Sequence, residues 1–222
     1  GTLLPDDSVL DLFGGVGTGH AGHGDRLSLV GVELNPEYVH IANQHFDLWQ
    51  RLGPQRGSAR IVQGDSRDDN GLRAGSFKAA IASPPYGQTL TNAGEGPGAR
   101  WDTKHHLPGN SHKISSRRDY GRDPANLANL STRRGRHGEP SAFERSALAV
   151  IHQTHRLLCD DGIAVWVTKD YVRRGKRVPF SDSWEGLCVA TGFHCIGRVQ
   201  ATFVDSRADQ LDLFGGRHNR DR

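Results

Sequence analysis

The sequence predicts an α/β fold built on a doubly wound, mostly parallel sheet with one antiparallel strand. Apolar runs of strand length alternate along the chain with segments of helical periodicity, which is the pattern of a parallel sheet covered by helices. Four of the runs end in a glycine-rich turn, a carboxylate or a proline pair. Ligands of such sheets bind outside the carboxyl ends of the strands, so these ends are the candidate functional positions.

A glycine turn follows the first strand. The apolar pair Val9-Leu10 precedes the segment 11–17, which has the pattern D-x-F-x-G-x-G. Glycines at a strand-to-helix turn permit positive φ angles and let a ligand approach the backbone closely. The turn is therefore a candidate site for a nucleoside or an amino-acid moiety.

The next two strands each lead into a carboxylate. The apolar run 29–33 ends in Glu33, and the run 59–63 is followed by Asp65 and Ser66. An α/β sheet places an acid at such a strand end to bind ribose hydroxyls. A solvated charge at the strand end is the alternative interpretation of Glu33, and the preceding glycine turn disfavours it.

The fourth strand, 79–82, leads directly into the tetrapeptide Ser83-Pro84-Pro85-Tyr86. Two prolines fix two φ angles and remove two amide donors, so the carbonyl groups of Ser83 and Pro84 stay free to accept hydrogen bonds from a ligand. The Tyr86 ring offers a flat face on which a planar base can stack. A proline turn with a half-buried tyrosine is the alternative.

Helical periodicity and capping residues predict three helices. The first covers 36–52, with Asn35 as its N-cap and a proline at its first position. A capping box formed by Ser141 and Glu144 starts the second, which is expected to extend to Leu158. The third is predicted to start at Asp182 and to end before Gly192.

Three further strands complete the predicted sheet. The continuous apolar run 162–167 predicts a buried strand. Residues 193–198 and 200–204 are predicted as a closing pair that includes the antiparallel strand. The expected core residues include Trp49, Trp166 and Trp184.

A basic insertion, 88–142, separates the fourth strand from the second predicted helix and has little apolar periodicity. It holds nine Lys or Arg residues against five acids, a net charge of +4, whereas the whole chain has +3. Together with Trp101 and Tyr120, this composition is typical of a loop that contacts DNA phosphates and an unpaired base. A solvated lid without a recognition role is the alternative.

A second basic cluster follows the fifth strand and is predicted either to contact a phosphate backbone or to form a solvated turn. Its members are Lys169, Arg173, Arg174, Lys176 and Arg177.

Composition restricts the class of protein. The 222-residue chain is long enough for one α/β domain. Its three cysteines lack metal-ligand spacing and even pairing, and the histidines of the insertion lack zinc spacing, so no metal site is predicted. No run approaches the roughly 20 apolar residues that span a bilayer, and no signal peptide is visible, so a cytoplasmic location is expected.

The order of these motifs resembles that of the amino-group DNA methyltransferases that use S-adenosylmethionine, which have the Rossmann-like class I methyltransferase fold. The similarity extends from about Val9 to Val204, and its later part resembles a subgroup found in phages and mobile elements. It implies S-adenosylmethionine as the cofactor and DNA as the partner. The implied cofactor-binding residues are Asp11, Phe13, Gly14, Gly15, Gly17, Glu33, Asp65 and Ser66. The implied catalytic residues are Ser83, Pro84, Pro85 and Tyr86.

The resemblance also implies a division of roles. The glycine turn would take the methionine part of the cofactor, Glu33 the ribose hydroxyls and Asp65 the adenine amine. The Ser83 hydroxyl and the Pro84 carbonyl would orient the target amine, while Tyr86 stacks on the base.

The target base follows from two further observations. Methylation of carbon 5 of cytosine needs a nucleophilic thiol, usually in a Pro-Cys loop, and no cysteine here follows a proline. In the enzymes that this sequence resembles, serine at the first position of the tetrapeptide is associated more often with N4 of cytosine than with N6 of adenine. The resemblance therefore implies site-specific methylation of N4 of cytosine in preference to N6 of adenine, as in restriction-modification systems. An RNA or protein-glutamine methyltransferase, and a non-catalytic DNA-binding or clamp-tethered module, are the alternatives.

The methyltransferase domain is predicted to cover 1–204, and 205–222 to form a flexible tail. Within this tail, Gln210-Leu211-Asp212-Leu213-Phe214 resembles the peptide with which bacterial replication and repair proteins dock on the sliding clamp. Leu213 and Phe214 would fill an apolar pocket while Gln210 forms a hydrogen bond at its edge. The alternative is a terminal turn that packs on its own domain.

Overall fold

A five-stranded parallel sheet forms the centre of the computed structural model, which describes residues 3–17, 26–51, 57–85, 123–173 and 175–201. Its strands are β1 (Ser8–Asp11), β2 (Ser28–Glu33), β3 (Ser58–Gln63), β4 (Phe77–Ala82) and β5 (Leu158–Trp166). They lie in the order β3-β2-β1-β4-β5, and all four neighbouring pairs are parallel. The chain therefore winds outwards in opposite directions from β1 and β4, and the boundary between these two strands is the topological switch point.

Helices cover both faces of the sheet. In the described ranges they are α1 (Pro36–Arg51), α2 (Ala142–Leu157) and α3 (Phe180–Ala190). Val9 packs with Leu29 on one face, where α1 also lies, whereas the neighbouring Leu10 packs with Val30 on the face covered by α2 and α3. This alternation is the two-residue period of a strand buried on both sides. The predicted fold class, a doubly wound α/β sheet of Rossmann-like type, is confirmed.

Local side-chain bonds explain where α1 begins. The Asn35 side-chain oxygen accepts the Glu37 amide at 2.9 Å, and Pro36 occupies the first helical position as predicted. Ala42 and Phe46 face the sheet and pack against Ile61 of β3. This contact fixes α1 over the β2–β3 edge, next to the glycine turn.

The predicted capping box starts α2. Ser141 Oγ accepts the Glu144 amide at 3.1 Å, and the Glu144 carboxylate accepts the Ser141 amide at 2.7 Å. The helix ends at Leu157, so the prediction that it includes Leu158 is wrong.

Leu158 is instead the first residue of β5, which follows α2 without a loop. It pairs with Phe77 of β4. The Gly75 and Ser76 amides donate to the Arg156 and Leu157 carbonyls, and these bonds satisfy backbone groups at the end of the helix.

Aromatic packing sets the start of α3. The helix begins at Phe180 and not at the predicted Asp182, and Pro179 at the N-cap makes no side-chain cap bond. Phe180 is buried against Phe143 and Trp184. Burial of this ring thus outweighs the capping signal of Asp182. Trp184 and Trp166 lie edge to face in the main core, as predicted, and Trp49 is half-buried on α1.

The predicted closing strands are wrong within the described residues. Residues 193–201 form no strand, and the remainder of the predicted pair lies outside the described ranges. Arg198 contacts Asp182 at 2.7 Å and Glu185 at 2.6 Å, so this segment is held against α3. The antiparallel pairing occurs instead in a separate hairpin of β6 (Tyr171–Arg173) and β7 (Lys176–Val178).

The last part of the basic insertion belongs to the folded core. A 3-10 helix spans Leu127–Asn129, and both Leu127 and Ala128 are buried. Leu127 belongs to the main core, together with Phe143 and Val150 of α2. Within the described ranges, no helix is both long and apolar enough to cross a membrane.

Candidate active site

The predicted functional segments meet at the carboxyl edge of the sheet. Leu10 of β1 pairs with Ala80 of β4, so the glycine turn and the 83–85 turn leave neighbouring strands on either side of the switch point. Glu33 ends β2, and Asp65 and Ser66 follow β3 at the same edge. Tyr86 lies outside the described residues.

Close packing requires glycine in the turn after β1. The Gly14 amide donates to the Val32 carbonyl at 3.0 Å, and the Gly17 amide donates to Gly14 at 3.0 Å. Gly15 and Gly17 have φ angles of 52° and 75°, in the left-handed region that favours glycine. A Cβ atom on Gly17 would lie 2.9 Å from a ring carbon of Phe46. The sequence-based prediction of a tight glycine turn is consistent with this geometry.

Glu33 holds the glycine turn from below. Its side chain is only 3% exposed; one carboxylate oxygen accepts the Gly15 amide at 2.9 Å and the other accepts the Asn35 amide at 2.8 Å. Burial raises the pKa of Glu33, and these amide bonds oppose the shift. A carboxylate has about four acceptor positions, so Glu33 can hold the turn and still accept a hydroxyl from a ligand.

A second carboxylate, that of the partly buried Asp11, lies close to Glu33. Asp11 accepts the Phe13 amide at 2.9 Å and so fixes the first residues after β1. Burial raises the pKa of Asp11 to about 6; the bond from Phe13 lowers it and the nearby charge of Glu33 adds to the rise. Two acids thus lie below the glycine turn, each bound to its backbone.

The loop after β3 is tied to the same turn. The buried Ser66 hydroxyl donates to the Leu12 carbonyl, which joins the β3 loop to the segment after β1. Ser66 was predicted near the cofactor, and in this arrangement its hydroxyl positions the loop. The Gly64 amide donates to the Glu33 carbonyl at 3.0 Å and links the same loop to β2.

Asp65 is paired with an arginine that the sequence analysis missed. Its carboxylate accepts the Arg67 amide and Arg67 Nε, both at 2.9 Å, and the terminal nitrogen of the same guanidinium. Burial would raise the pKa of Asp65, but the hydrogen bonds and the charge of Arg67 outweigh it and bring the pKa below its ordinary value. No sequence signal identified this pair, because two residues in one loop meet only when the turn folds back.

The turn after β4 is anchored on the segment after β5. Ser83 Oγ donates to the Val167 carbonyl at 3.2 Å, and the Val167 amide donates to the Ala82 carbonyl at 2.9 Å. Ser83 is exposed, whereas Pro84 is buried and Pro85 is half-buried. The serine hydroxyl is therefore held at the switch point and accessible from solvent.

The β6–β7 hairpin carries most of the second basic cluster. Arg173 donates to the Thr132 hydroxyl at 2.9 Å, and Arg177 pairs with Asp170 at 2.6 Å. Lys169 and Lys176 are exposed, and no ion pair engages either within the described ranges. Arg174 lies outside the described residues.

The three cysteines are free thiols, and burial raises the pKa of Cys188 to about 12. In the part of the chain that the structure describes, no group of three or more His, Cys, Asp or Glu residues is arranged to hold a metal ion.

No protein-family model matches the chain, and no curated protein is similar to it at a significant level. Solved structures with a similar fold include a TehB-like S-adenosylmethionine-dependent methyltransferase from Corynebacterium glutamicum. Its sequence identity is 14% and its TM-score 0.43, and the match covers 86% of this chain and 67% of that one. An arsenic(III) S-adenosylmethionine methyltransferase from Chlamydomonas reinhardtii has 17% identity and a TM-score of 0.48, covering 85% and 52%.

A third similar structure is phosphoethanolamine N-methyltransferase 2 from Haemonchus contortus, in complex with S-adenosylmethionine. It has 11% identity and a TM-score of 0.46, covering 87% of this chain and 34% of that one. The chain thus spans about a third to two thirds of the lengths of these proteins. Similarity at this level assigns neither an activity nor a substrate to this chain.

Proposed function

We propose that the chain is an S-adenosylmethionine-dependent methyltransferase that modifies an exocyclic base amine in DNA, N4 of cytosine in preference to N6 of adenine. One observation carries the proposal: the glycine turn after β1 and the Ser83-Pro84-Pro85 turn after β4 lie on either side of the switch point. This is the crevice in which a doubly wound sheet binds its ligands.

The hydrogen-bonding groups at this edge of the sheet suit S-adenosylmethionine. The glycine turn permits close approach to the backbone, and Glu33 and Asp65 are acceptors placed after neighbouring strands. We assign Glu33 to the ribose hydroxyls and Asp65 to the adenine amine. When bound, S-adenosylmethionine supplies an electrophilic methyl group on its sulfonium.

The geometry of Ser83 suits an amine acceptor. A serine hydroxyl has one proton to donate and two lone pairs, and Ser83 directs its proton to the Val167 carbonyl. Its oxygen is left as an acceptor for an N–H group. With the Pro84 carbonyl as a second acceptor, the site can orient an amine whose lone pair is delocalised into its ring and favour a tetrahedral nitrogen.

Cysteine chemistry supports transfer to nitrogen. A C5-cytosine enzyme forms a thiol adduct, which requires a thiolate near the base. The Cys188 thiol, with a pKa raised to about 12 by burial, lies on α3, Cys159 lies on β5, and the exposed Cys195 follows α3. None of the three is in the turns at the switch point.

DNA as the substrate is supported by charge. The basic insertion enters the chain directly after the proposed base-binding turn, and the exposed Lys169 and Lys176 follow the segment that anchors Ser83. Positive groups next to a base-binding site are what contact with a phosphate backbone needs. They disfavour a protein side chain as substrate.

Methyl transfer in parallel assays tests this proposal. Purified protein with labelled S-adenosylmethionine is offered duplex DNA, single-stranded DNA, RNA and protein, and the modified DNA is digested to nucleosides. We expect label in DNA, recovered as N4-methylcytosine. Label in RNA or protein alone would overturn the choice of substrate, and label only in N6-methyladenine would overturn the choice of base.

Ser83→Ala tests the assignment of the amine site. The variant removes one acceptor, so we expect the rate of transfer to fall about 100-fold while affinity for S-adenosylhomocysteine stays unchanged. Ser76→Ala is the matched control, because Ser76 precedes β4 at the opposite end and its hydroxyl bonds to the Arg73 carbonyl. A Ser83 variant as active as the control would remove Ser83 from the mechanism.

A further inference from the structure

The structure points to Arg67 as a positioning residue that orients the Asp65 carboxylate and leaves it one acceptor position for the adenine amine of the cofactor. The inference rests on the proposed function, because it takes Asp65 as part of the cofactor site. It adds a residue to that site and a reason for specificity towards the adenine ring.

A count of hydrogen bonds supports the inference. A carboxylate offers about four lone-pair positions. The Arg67 amide and Arg67 Nε both donate to one oxygen of Asp65 at 2.9 Å, which fills that oxygen. The other oxygen accepts the terminal guanidinium nitrogen and also lies 3.1 Å from Arg67 Nε, whose single N–H is shared between the two oxygens. Three N–H groups thus serve about four positions, and within the described residues the carboxylate can accept one more N–H.

Arg67 is itself held by other elements. Its second terminal nitrogen donates to Ser146 Oγ of α2 at 3.2 Å, and its carbonyl accepts from Gln153 of the same helix at 3.3 Å. Asn70 closes the loop by donating to the Asp65 carbonyl at 2.7 Å. The guanidinium is therefore a fixed part of the site, supported from α2.

The charges around Arg67 keep the pair ionised. Asp65 is its direct partner, Asp68 lies on the same loop, and Asp123 belongs to the segment before the 3-10 helix; all three stabilise the guanidinium charge. A fixed positive charge keeps Asp65 as a carboxylate, which accepts but does not donate hydrogen bonds. Such a group accepts the N–H of an adenine amine and repels the carbonyl oxygen of a hypoxanthine ring.

The experiment is calorimetric titration of S-adenosylhomocysteine and of its inosine analogue into the intact chain, Arg67→Gln and Arg67→Lys. Arg73→Gln is the matched control, because Arg73 is an exposed arginine near the end of the same loop, before β4. We expect R67Q to bind S-adenosylhomocysteine about tenfold more weakly and to lose discrimination against the inosine analogue. The control variant should keep both the affinity for S-adenosylhomocysteine and the discrimination against the inosine analogue.

The pH profile separates positioning from general damage to the loop. Asp11, with a pKa of about 6, responds to pH in every variant, so the readout is the affinity of each variant relative to that of the intact chain, in which Asp65 is ionised between about pH 5 and pH 8. In R67Q the side-chain bonds and charge that lower the pKa of Asp65 are lost while burial remains, so this pKa rises and the relative affinity falls towards pH 5. R67K restores the charge but not the two parallel bonds, so its relative affinity should be intermediate and independent of pH.

The outcomes distinguish this inference from the proposed function. If the intact chain binds no S-adenosylhomocysteine, the proposed function fails. If it binds and R67Q keeps the affinity, adenine preference and pH profile of the intact chain, the proposed function stands and the role of Arg67 is refuted. Because R67K keeps a cation against Asp65, a steeper acid loss in that variant than in the intact chain would also refute it, even if R67Q does not fold.

Discussion

At the scale of single residues, the pair of acids below the glycine turn opposes folding when both are charged. Glu33 is buried and Asp11 is partly buried, and desolvation together with the charge of Glu33 raises the pKa of Asp11 to about 6. Their bonds to the Phe13 and Gly15 amides hold the turn in place. The site thus keeps a shape suited to a ligand at some cost in stability.

Asp11→Asn is expected to stabilise the chain at pH 8 by about 1 to 3 kcal/mol. The folded-state pKa of about 6 exceeds the ordinary value of 3.8, so the folded state binds more protons in this interval and wild-type stability falls as the pH rises through it. Asparagine removes the charge and can still accept the Phe13 amide. Chemical denaturation at pH 4 and pH 8 measures the difference.

The stabilisation by D11N should shrink towards zero near pH 4, where Asp11 is mostly protonated in the folded state. Asp47→Asn, an exposed position on α1, is the control and should change stability little at either pH. A D11N variant that is less stable than wild type at pH 8 would contradict the assignment of Asp11 as a strained, partly buried carboxylate.

Gly17→Ala should destabilise the chain by roughly 2 to 4 kcal/mol, because the added Cβ atom clashes with α1 and alanine is strained at a positive φ angle. The new Cβ atom would meet Phe46 at 2.9 Å and Ala42 at 3.0 Å, at a φ angle of 75°. Gly75→Ala is the matched control: its φ angle is 66°, and nothing lies within 4 Å of the added atom. Thermal unfolding should show the larger loss for G17A, and equal losses would show that packing against α1 is unimportant.

At the scale of elements, the β6–β7 hairpin and the segment before it present two exposed lysines, Lys176 and Lys169. We expect the double variant Lys169→Gln, Lys176→Gln to bind duplex DNA several-fold more weakly, with a salt slope smaller by about 2. Fluorescence anisotropy between about 50 and 200 mM salt measures both quantities.

Arg51→Gln with Arg60→Gln is the matched control for the hairpin, because both arginines are exposed on α1 and β3, away from β5 and the hairpin. This control should keep the affinity and slope of the intact chain. An equal loss in both double variants would mean that overall charge, and not the hairpin, attracts the nucleic acid.

Element boundaries show what sequence patterns can and cannot predict. The strands before Asp11, Glu33, Asp65 and Ser83 were predicted because short apolar runs end sharply in polar residues. The capping box at Ser141 is a purely local arrangement, and it was also predicted correctly. The end of α2 was not predicted correctly. Leu158 fits helical spacing, and only its pairing with Phe77 assigns it to β5.

The residues of the candidate site divide in the same way, into those that local sequence patterns predict and those that depend on tertiary contacts. The glycine turn and the two acids could be predicted because each lies at a strand end, and strand ends of a parallel sheet meet at one edge. Arg67 could not, since its role depends on a loop that folds back and on Ser146 from a distant helix. The contact between Ser83 and Val167 likewise requires β4 and β5 to be neighbours, which no local pattern states.

At the scale of the whole molecule, the tail is predicted to dock the chain on a bacterial sliding clamp; residues 202–222 lie outside the described ranges. The tail contains the sequence Asp-Leu-Phe-Gly-Gly at 212–216, and the same five residues occur at 11–15. There Leu12 is buried and Asp11 belongs to β1, so that copy cannot enter a pocket of another protein.

Pull-down with purified bacterial clamp should therefore retain the intact chain and lose a chain that ends at Asp209. Leu213→Ala with Phe214→Ala should lose binding as well, because these two apolar side chains would fill the pocket. Methyl transfer by the truncated chain should be unchanged. Equal retention of the intact and truncated chains would refute clamp binding.

The absence of a loop between α2 and β5 limits how this polypeptide can be divided. A break between Leu157 and Leu158 would separate a helix from the strand that continues it, at a point where both residues are enclosed. The exposed stretch 133–138, which ends in an open glycine, interrupts no packed element. A division of the chain into two complementing fragments should therefore be made within this stretch, so that α2 and β5 stay in the same fragment.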